Sequence, residues 1–268
     1  MKKYVVNGEI PLKNFTDNVC APASFCFRAL LKNREIRVNG TRVGEDVLLA
    51  SGDEVAYFLT KAQERKTGYE IVYEDDSVVV ADKESGVNSE AVFSALCERG
   101  ETYFIHRIDR NTAGLLLFAK SRESERLLLR AFRERSAHKI YLARVIGKMP
   151  KRQSVEEAYL IKDEKNALVR VSTKPIGEKI KTEYRVLEED GETSLLQITL
   201  HTGKTHQIRA HMAFLGHPVA GDTKYGDGAF NRTHHITRQR LVAKRLQIDG
   251  EGLLSYLSGL TFESKFEP

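Results

Sequence analysis

Three cysteines, Cys20, Cys26 and Cys97, are all the chain contains, and no C-x-x-C spacing occurs among them. That excludes a disulfide framework and a thiolate zinc site, and the three read as reduced core residues. No stretch approaches the roughly 18 apolar residues that span a bilayer. Residues 1–10 carry two lysines with no apolar run behind them, so neither an export signal nor a membrane anchor is expected and the chain belongs in the cytoplasm. Internal repeats and low-complexity segments are also missing. With 268 residues, 41% of them hydrophobic and 29% charged, the chain is globular and long enough for one small and one larger domain at about 150 residues per domain.

Forty-two Lys and Arg against 37 Asp and Glu give a net charge of +5, a mild bias toward polyanionic partners. The distribution says more than the total. Arg28, Lys32, Arg34, Arg37 and Arg42 cluster in one stretch, and Arg232, Arg238, Arg240, Lys244 and Arg245 in another. Each cluster is either an RNA-facing surface or a solvated charged face.

The first unit starts with a helix-like stretch at residues 25–31 whose last turn is basic. A hairpin follows: Ile36 and Val38 alternate with polar residues, Asn39-Gly40 supplies a tight turn, and residues 41–43 resume the alternation. A strand is expected over residues 54–58. Helix, basic turn and hairpin resemble the alpha-L RNA-binding module over about 45 residues. The resemblance implies that Arg28, Lys32, Arg34 and Arg37 meet RNA phosphates without reading sequence. Residues 1–60 are taken as this domain, 61–68 as a polar linker and 69–268 as a second domain.

In that second domain the apolar runs are short and strand-like: 78–81, 115–119, 141–146, 168–171, 184–187 and 195–200. Two helices stand out. One covers residues 122–135. The other covers 205–215, with Ile208, Met212 and Leu215 on one face and Thr205 as N-cap. The pattern predicts an α+β fold built on a mixed, mostly antiparallel sheet.

Residues 106–112 are dense in polar groups yet run straight into the buried-looking strand 115–119. A carboxylate there, Asp109, flanked by Arg107 and Arg110, suits a nucleophile or base; a structural ion pair is the commoner use of an isolated Asp. A second polar segment opens the helix at residue 205. It gathers Lys204, Thr205, His206 and Gln207 where phosphates bind well. One turn inside, Arg209 lies beside the apolar face and needs a carboxylate, for which Asp109 is the natural candidate.

HRIDRNTAGL (residues 106–115), the Tyr of KIYLA (139–143) and GKTHQIRAHMAFLGHPVAGDTKYG (203–226) resemble, in order, the motifs of the RluA-type family of ribosomal large-subunit and transfer-RNA pseudouridine synthases. The resemblance spans nearly all of residues 69–268. It implies that Asp109 is the nucleophile, that Tyr141 packs on the uracil ring and that Arg209 pairs with Asp109. It also implies that Arg107 fills the gap left by a flipped base. Tyr73 to Asp76 and Leu254 to Leu257 match weaker signatures near the ends of the domain. Ile108 and Ala113 stand where the family usually has Leu and Ser, and Glu84 where it usually has Pro.

Uridine isomerisation calls for a nucleophile, a guanidinium and an enclosed pocket for a flipped base, and for no metal, redox agent or nucleotide cofactor. Ribosomal RNA, most expectedly that of the large subunit, or transfer RNA is the implied partner of a monomer. Competing chemistries fit less well. His206 and His211 are five apart and no Glu or Cys completes a zinc set, so no metal is expected. Ile198 stands where a phosphate loop ending in Gly203-Lys204-Thr205 needs Gly, and G-x-S-x-G does not occur. A catalytically silent RNA-binding or ribosome-assembly factor on the same fold is the alternative from another class.

Overall fold

The computed structural model describes residues 1–65, 67–163 and 168–268. Near the N-terminus, strands Lys2–Val5, Glu54–Tyr57, Ile36–Val38 and Thr41–Val43 form a four-stranded antiparallel sheet in that order. The hairpin turns at Asn39 and Gly40, with φ of 49° and 80°, the backbone that an Asn-Gly pair favours. Helices Leu12–Val19, Ala21–Phe25 and Phe27–Lys32 cover the sheet around Leu12, Phe15, Leu30, Ile36 and Tyr57.

Three local expectations change here. The helix expected over 25–31 is two helices that break at Cys26, whose φ and ψ are −119° and 17°. Residues 2–5, for which no element was expected, form its edge strand. The linker 61–68, of which residue 66 lies outside the described residues, includes the helix Lys61–Arg65. Thr60 and Gln63 cap its start reciprocally: the Thr60 amide donates to Gln63 Oε1 at 2.7 Å and the Gln63 amide to Thr60 Oγ1 at 3.2 Å.

The larger sheet is mixed and mostly antiparallel. Its main path runs Leu168–Ser172, Gln153–Asp163, Glu178–Glu189, Thr193–Leu200, Ala137–Ile146, Leu241–Ile248, Ala113–Ala119, Val78–Lys83, Tyr69–Glu74. The pair Ala113–Ala119 with Leu241–Ile248 is parallel, and the other pairs on the path are antiparallel. The strands at its centre are buried along their length because both faces are covered. Val79, Ala81, Leu116 and Phe118 meet Ile208 and Met212 on one face; Val78, Val80, Leu115 and Leu117 meet Leu128 and Ala131 on the other. Burying each such Val or Leu contributes about 1.5–3 kcal/mol.

The helix on the second face is Arg122–Glu134, capped by Ser121 and ended by Arg135 at φ 66°. On the first face lie Ser89–Cys97 and Gln207–Phe214. Thr205 does not cap the latter; His206 occupies that position at φ 55° with no side-chain cap. The two weaker signatures meet across the domain, where the hydroxyls of Tyr256 and Tyr73 donate to Asp75 Oδ2 at 2.5 and 2.7 Å.

Gly114 sits where the parallel strands approach most closely. Its φ is 113°, and a Cβ there would lie 2.3 Å from the Ala243 carbonyl oxygen. Gly114→Ala is therefore expected to lose about 3 kcal/mol of stability, from overpacking and a strained backbone together. A thermal denaturation midpoint equal to that of the wild type would contradict this account of the glycine.

Candidate active site

Asp109 stands in the loop before strand Ala113–Ala119, and buried groups grip the main chain on either side of it. Lys83 is fully buried and its ammonium donates to the carbonyls of Val87, Arg110 and Thr112 at 2.8, 3.1 and 2.6 Å. Burial pushes that ammonium down to about 7, against the upward pull of Asp109. Ser89 Oγ donates to the Ile108 carbonyl at 3.0 Å, and the Gly86 amide donates to the Arg110 carbonyl at 2.8 Å. These contacts leave the carboxylate of Asp109 free to face a cleft of about 530 Å3.

Arg209 reaches the same cleft from the helix Gln207–Phe214. Its Nε and Nη2 donate to Asp222 Oδ2 and Oδ1 at 2.6 and 3.0 Å, a two-pronged grip, and its Nη1 donates to Asp109 Oδ2 at 2.9 Å. The Arg209 side chain is 5% exposed, that of Asp222 0% and that of Asp109 24%. Burial opposes the guanidinium's charge, but the two carboxylates outweigh it and raise the Arg209 pKa. For Asp222, burial is likewise outweighed by Arg209, so its carboxyl is held below the usual range.

His206 lies on the other side of Asp109, with Nε2 3.9 Å from Oδ1. Its Nδ1 meets the Tyr225 hydroxyl at 2.9 Å, and that hydroxyl accepts the Val169 amide proton at 2.9 Å. With the Tyr225 hydroxyl as donor to Nδ1, the imidazole would carry its proton on Nε2, toward Asp109. Burial pushes the imidazole pKa down. Tyr141 forms another wall; burial and then the Asp109 charge raise its phenol pKa. A one-residue irregularity between Ile140 and Tyr141, which skips Lys244 on the neighbouring strand, accompanies the turn of that ring toward the cleft.

Among the other expected residues, Arg107 is at the mouth, its side chain 70% exposed and 3.2 Å from Glu90. Lys204 pairs with Glu178 at 2.7 Å, and Thr205 is exposed at the rim. Gln207 corrects the expectation of an RNA contact. It is buried, its Oε1 accepts the Lys204 amide at 3.1 Å and its Nε2 donates to Thr182 Oγ1 at 3.0 Å, so it braces the turn from inside. Arg28, Lys32 and Arg34 are exposed on the N-terminal unit and Arg37 lies over the Phe58 ring; none of the four lines the Asp109 cleft.

The family model for RNA pseudouridylate synthase matches residues 88–214, the span that contains Asp109, Tyr141 and Arg209. Ribosomal large subunit pseudouridine synthase C of Vibrio cholerae is 36% identical over 248 residues, 82% of this chain and 76% of that protein. The protein of the same name from Escherichia coli is 35% identical over 238 residues, 79% of this chain and 74% of its own. The chain belongs to the RNA pseudouridylate synthase family. The solved structure of human RNA Pseudouridylate Synthase Domain Containing 1 agrees, with a TM-score of 0.60 at 25% identity over 68% of this chain and 79% of that one.

For a pseudouridine synthase of this kind, sequence reasoning sought one carboxylate for Arg209 and overlooked the second. Asp222 was in view within Gly221-Asp222-Thr223-Lys224-Tyr225, but a guanidinium has five donors and a buried one needs more than a single partner. The histidines disperse: His201 goes to Glu183, His211 to Thr182 and His217 to the Ile146 carbonyl. Among the described residues no group of three or more potential ligands gathers to hold a metal.

Two outcomes are expected. Asp222→Asn leaves Arg209 half-clamped, lowering stability by about 3 kcal/mol and the single-turnover rate at least about tenfold, with RNA affinity little changed. An unchanged rate would show that Asp109 suffices to orient the guanidinium. The second concerns His106, whose Nε2 accepts the Leu117 amide proton at 3.1 Å and whose ring stacks on Phe132 at 4.7 Å. Burial, then Lys139, pushes it from 6.5 down to about 3. The unfolded chain thus binds the extra proton across that window, so stability is complete above 6.5 and is lost as pH falls through it. The denaturation midpoint should drop more between about pH 7 and about pH 5 in the wild type than in His106→Gln; parallel drops would point to other groups.

Proposed function

We propose that this chain converts uridine to pseudouridine in RNA of the large ribosomal subunit, with Asp109 as nucleophile. The carrying observation is a guanidinium clamped on Asp222 that offers its remaining edge to Asp109 at 2.9 Å beside the Tyr141 ring. The RNA target is supported by the names of the relatives, ribosomal large subunit pseudouridine synthase C.

The reaction breaks the bond from ribose C1′ to uracil N1 and makes one from C1′ to C5. N1 gains a proton, the C5 proton leaves, and no electrons are exchanged with an outside reagent. A paired or stacked base cannot reach Asp109, so it is flipped at a cost of a few kcal/mol. Packing on Tyr141 offsets part of that cost, and Arg107 at the exposed mouth fills the space vacated. Asp109 attacks the nucleotide and divides the exchange into two easier steps. Arg209 keeps the carboxylate oriented, and the low dielectric of the cleft strengthens that interaction.

Residues 1–60 are an alpha-L RNA-binding domain, 61–68 the connection and 69–268 the catalytic domain of a cytoplasmic monomer that uses no nucleotide cofactor. The separate sheet and core of the N-terminal unit, with Arg28, Lys32 and Arg34 outside, support that division. Lys204 and Thr205 at the cleft rim contribute to holding RNA phosphates.

Release of tritium from C5-labelled ribosomal RNA measures the reaction directly. Asp109→Asn should reduce it roughly a thousandfold or more while RNA binding persists. Equal release by the two proteins would sink the assignment of Asp109, and no release from any cellular RNA by the wild type would favour a silent RNA-binding factor.

A further inference from the structure

A second cleft, of about 760 Å3, opens between the N-terminal unit and the catalytic domain. Its charged lining is Arg28 from the N-terminal unit, Arg110 from the catalytic loop, Arg238 and Arg240 from the segment before strand Leu241–Ile248, and the carboxylates Glu84 and Glu267. Glu267 is already taken by Lys244 at 2.6 Å. Among the described residues none of the four guanidiniums has a carboxylate within 4 Å, whereas the buried cations Lys13, Arg209 and Lys244 do. We propose that this cleft is a second RNA site, which holds the ribose-phosphate backbone adjoining the flipped uridine.

Four guanidiniums without a carboxylate partner around one concavity repel one another, and of them Arg110 is held only through its Nε, which donates to the Gly86 carbonyl at 3.1 Å. Arg110 registers this repulsion: burial lowers its pKa and the Arg28 charge lowers it further, with Asp17 and Asp46 pulling it only partly back. Arg110 also lines the Asp109 cleft, so the two clefts adjoin and a chain can occupy both. A strand leaving Asp109 therefore passes Arg110 and continues between the two domains, as a backbone tracks a basic groove. This reading rests on RNA being the substrate at Asp109.

Among the described residues, the wall has one buried side-chain atom without a hydrogen-bond partner. Gly221, at φ 76°, admits the Arg238 carbonyl where a Cβ would be 1.9 Å away, which fixes the segment carrying Arg238 and Arg240. Gln239 between them donates through Nε2 to Thr112 Oγ1 at 3.0 Å, while its Oε1 is buried with no donor. That acceptor suits the 2′-hydroxyl of a ribose, which can donate a hydrogen bond, and repels a phosphate.

The test uses the full-length double variant Arg238→Ala/Arg240→Ala, whose exposed side chains should be removable without loss of thermal stability. Its dissociation constant for a 23S ribosomal RNA transcript should rise about tenfold, and the slope of log affinity against log salt should flatten by roughly 1.4–1.8, two phosphate contacts' worth. A control with the same charge loss elsewhere, Arg126→Ala/Arg133→Ala, should keep wild-type affinity and slope. A double variant that keeps both within twofold, or a control that loses as much, overturns the proposal. Binding is read without turnover, so a wild type that binds RNA but never releases tritium would sink the enzymatic reading and leave this groove standing.

Discussion

A single guanidinium shared between two carboxylates organises the catalytic domain. Arg209 comes from a helix on one face of the sheet, Asp222 from the segment that follows it and Asp109 from the loop before a central strand. Replacing such a buried set by apolar residues is often neutral or stabilising in other proteins, so stability alone does not explain it. What the arrangement achieves is asymmetry. Asp222 has no exposure, takes two of the guanidinium's edges and also accepts the amides of Lys224 and Tyr225 at 2.8 and 3.1 Å. Asp109 takes one edge and keeps a quarter of its surface open. One carboxylate is structural, and the other is held in place yet able to react.

The same division appears one layer out. Lys83 spends its ammonium on main-chain carbonyls and not on a carboxylate, so it fixes the Asp109 loop without competing with Arg209 for Asp109. Gly114 lets the following strand approach Leu241–Ile248, which carries the chain back from the Arg238–Arg240 wall. His106 is kept neutral by burial and serves as an acceptor for the central strand. Reactive geometry here is a product of groups whose own chemistry has been used up.

Periodicity made the centre of this fold legible and its periphery obscure. Apolar runs such as Val78 to Ala81 and Leu115 to Ala119 announce themselves because both faces are buried. Gln153–Asp163 escaped notice because an outer strand with solvent on one side reads QSVEEAYLIKD, polar at most positions. Leu241–Ile248 was hidden by Lys244 and Arg245, although Lys244 is buried through its contact with the C-terminal carbonyls and Glu267. At the site, Asp109 and Arg209 were visible as polar groups entering apolar segments, and Tyr141 through family resemblance alone. The roles of Asp222, Lys83 and Tyr225 depend on three-dimensional neighbours, and nothing in their spacing distinguishes them from ordinary surface or core residues.

Separating chemistry from grip explains why the basic residues of the N-terminal unit stay outside the Asp109 cleft. Phosphate contacts supply affinity that is nearly independent of sequence, whereas selection of one uridine requires a base to leave its stack and enter a confined space. Cations crowded around Asp109 would compete with Arg209 for the carboxylate. In the proposed arrangement Arg28, Arg238 and Arg240 lie along a neighbouring cleft, joined to the first by Arg110 alone among the charged side chains, so binding energy accumulates on the RNA backbone while Asp109 keeps one cationic partner at hydrogen-bonding distance. Binding energy gathered away from the reacting atoms can then be spent on flipping the base.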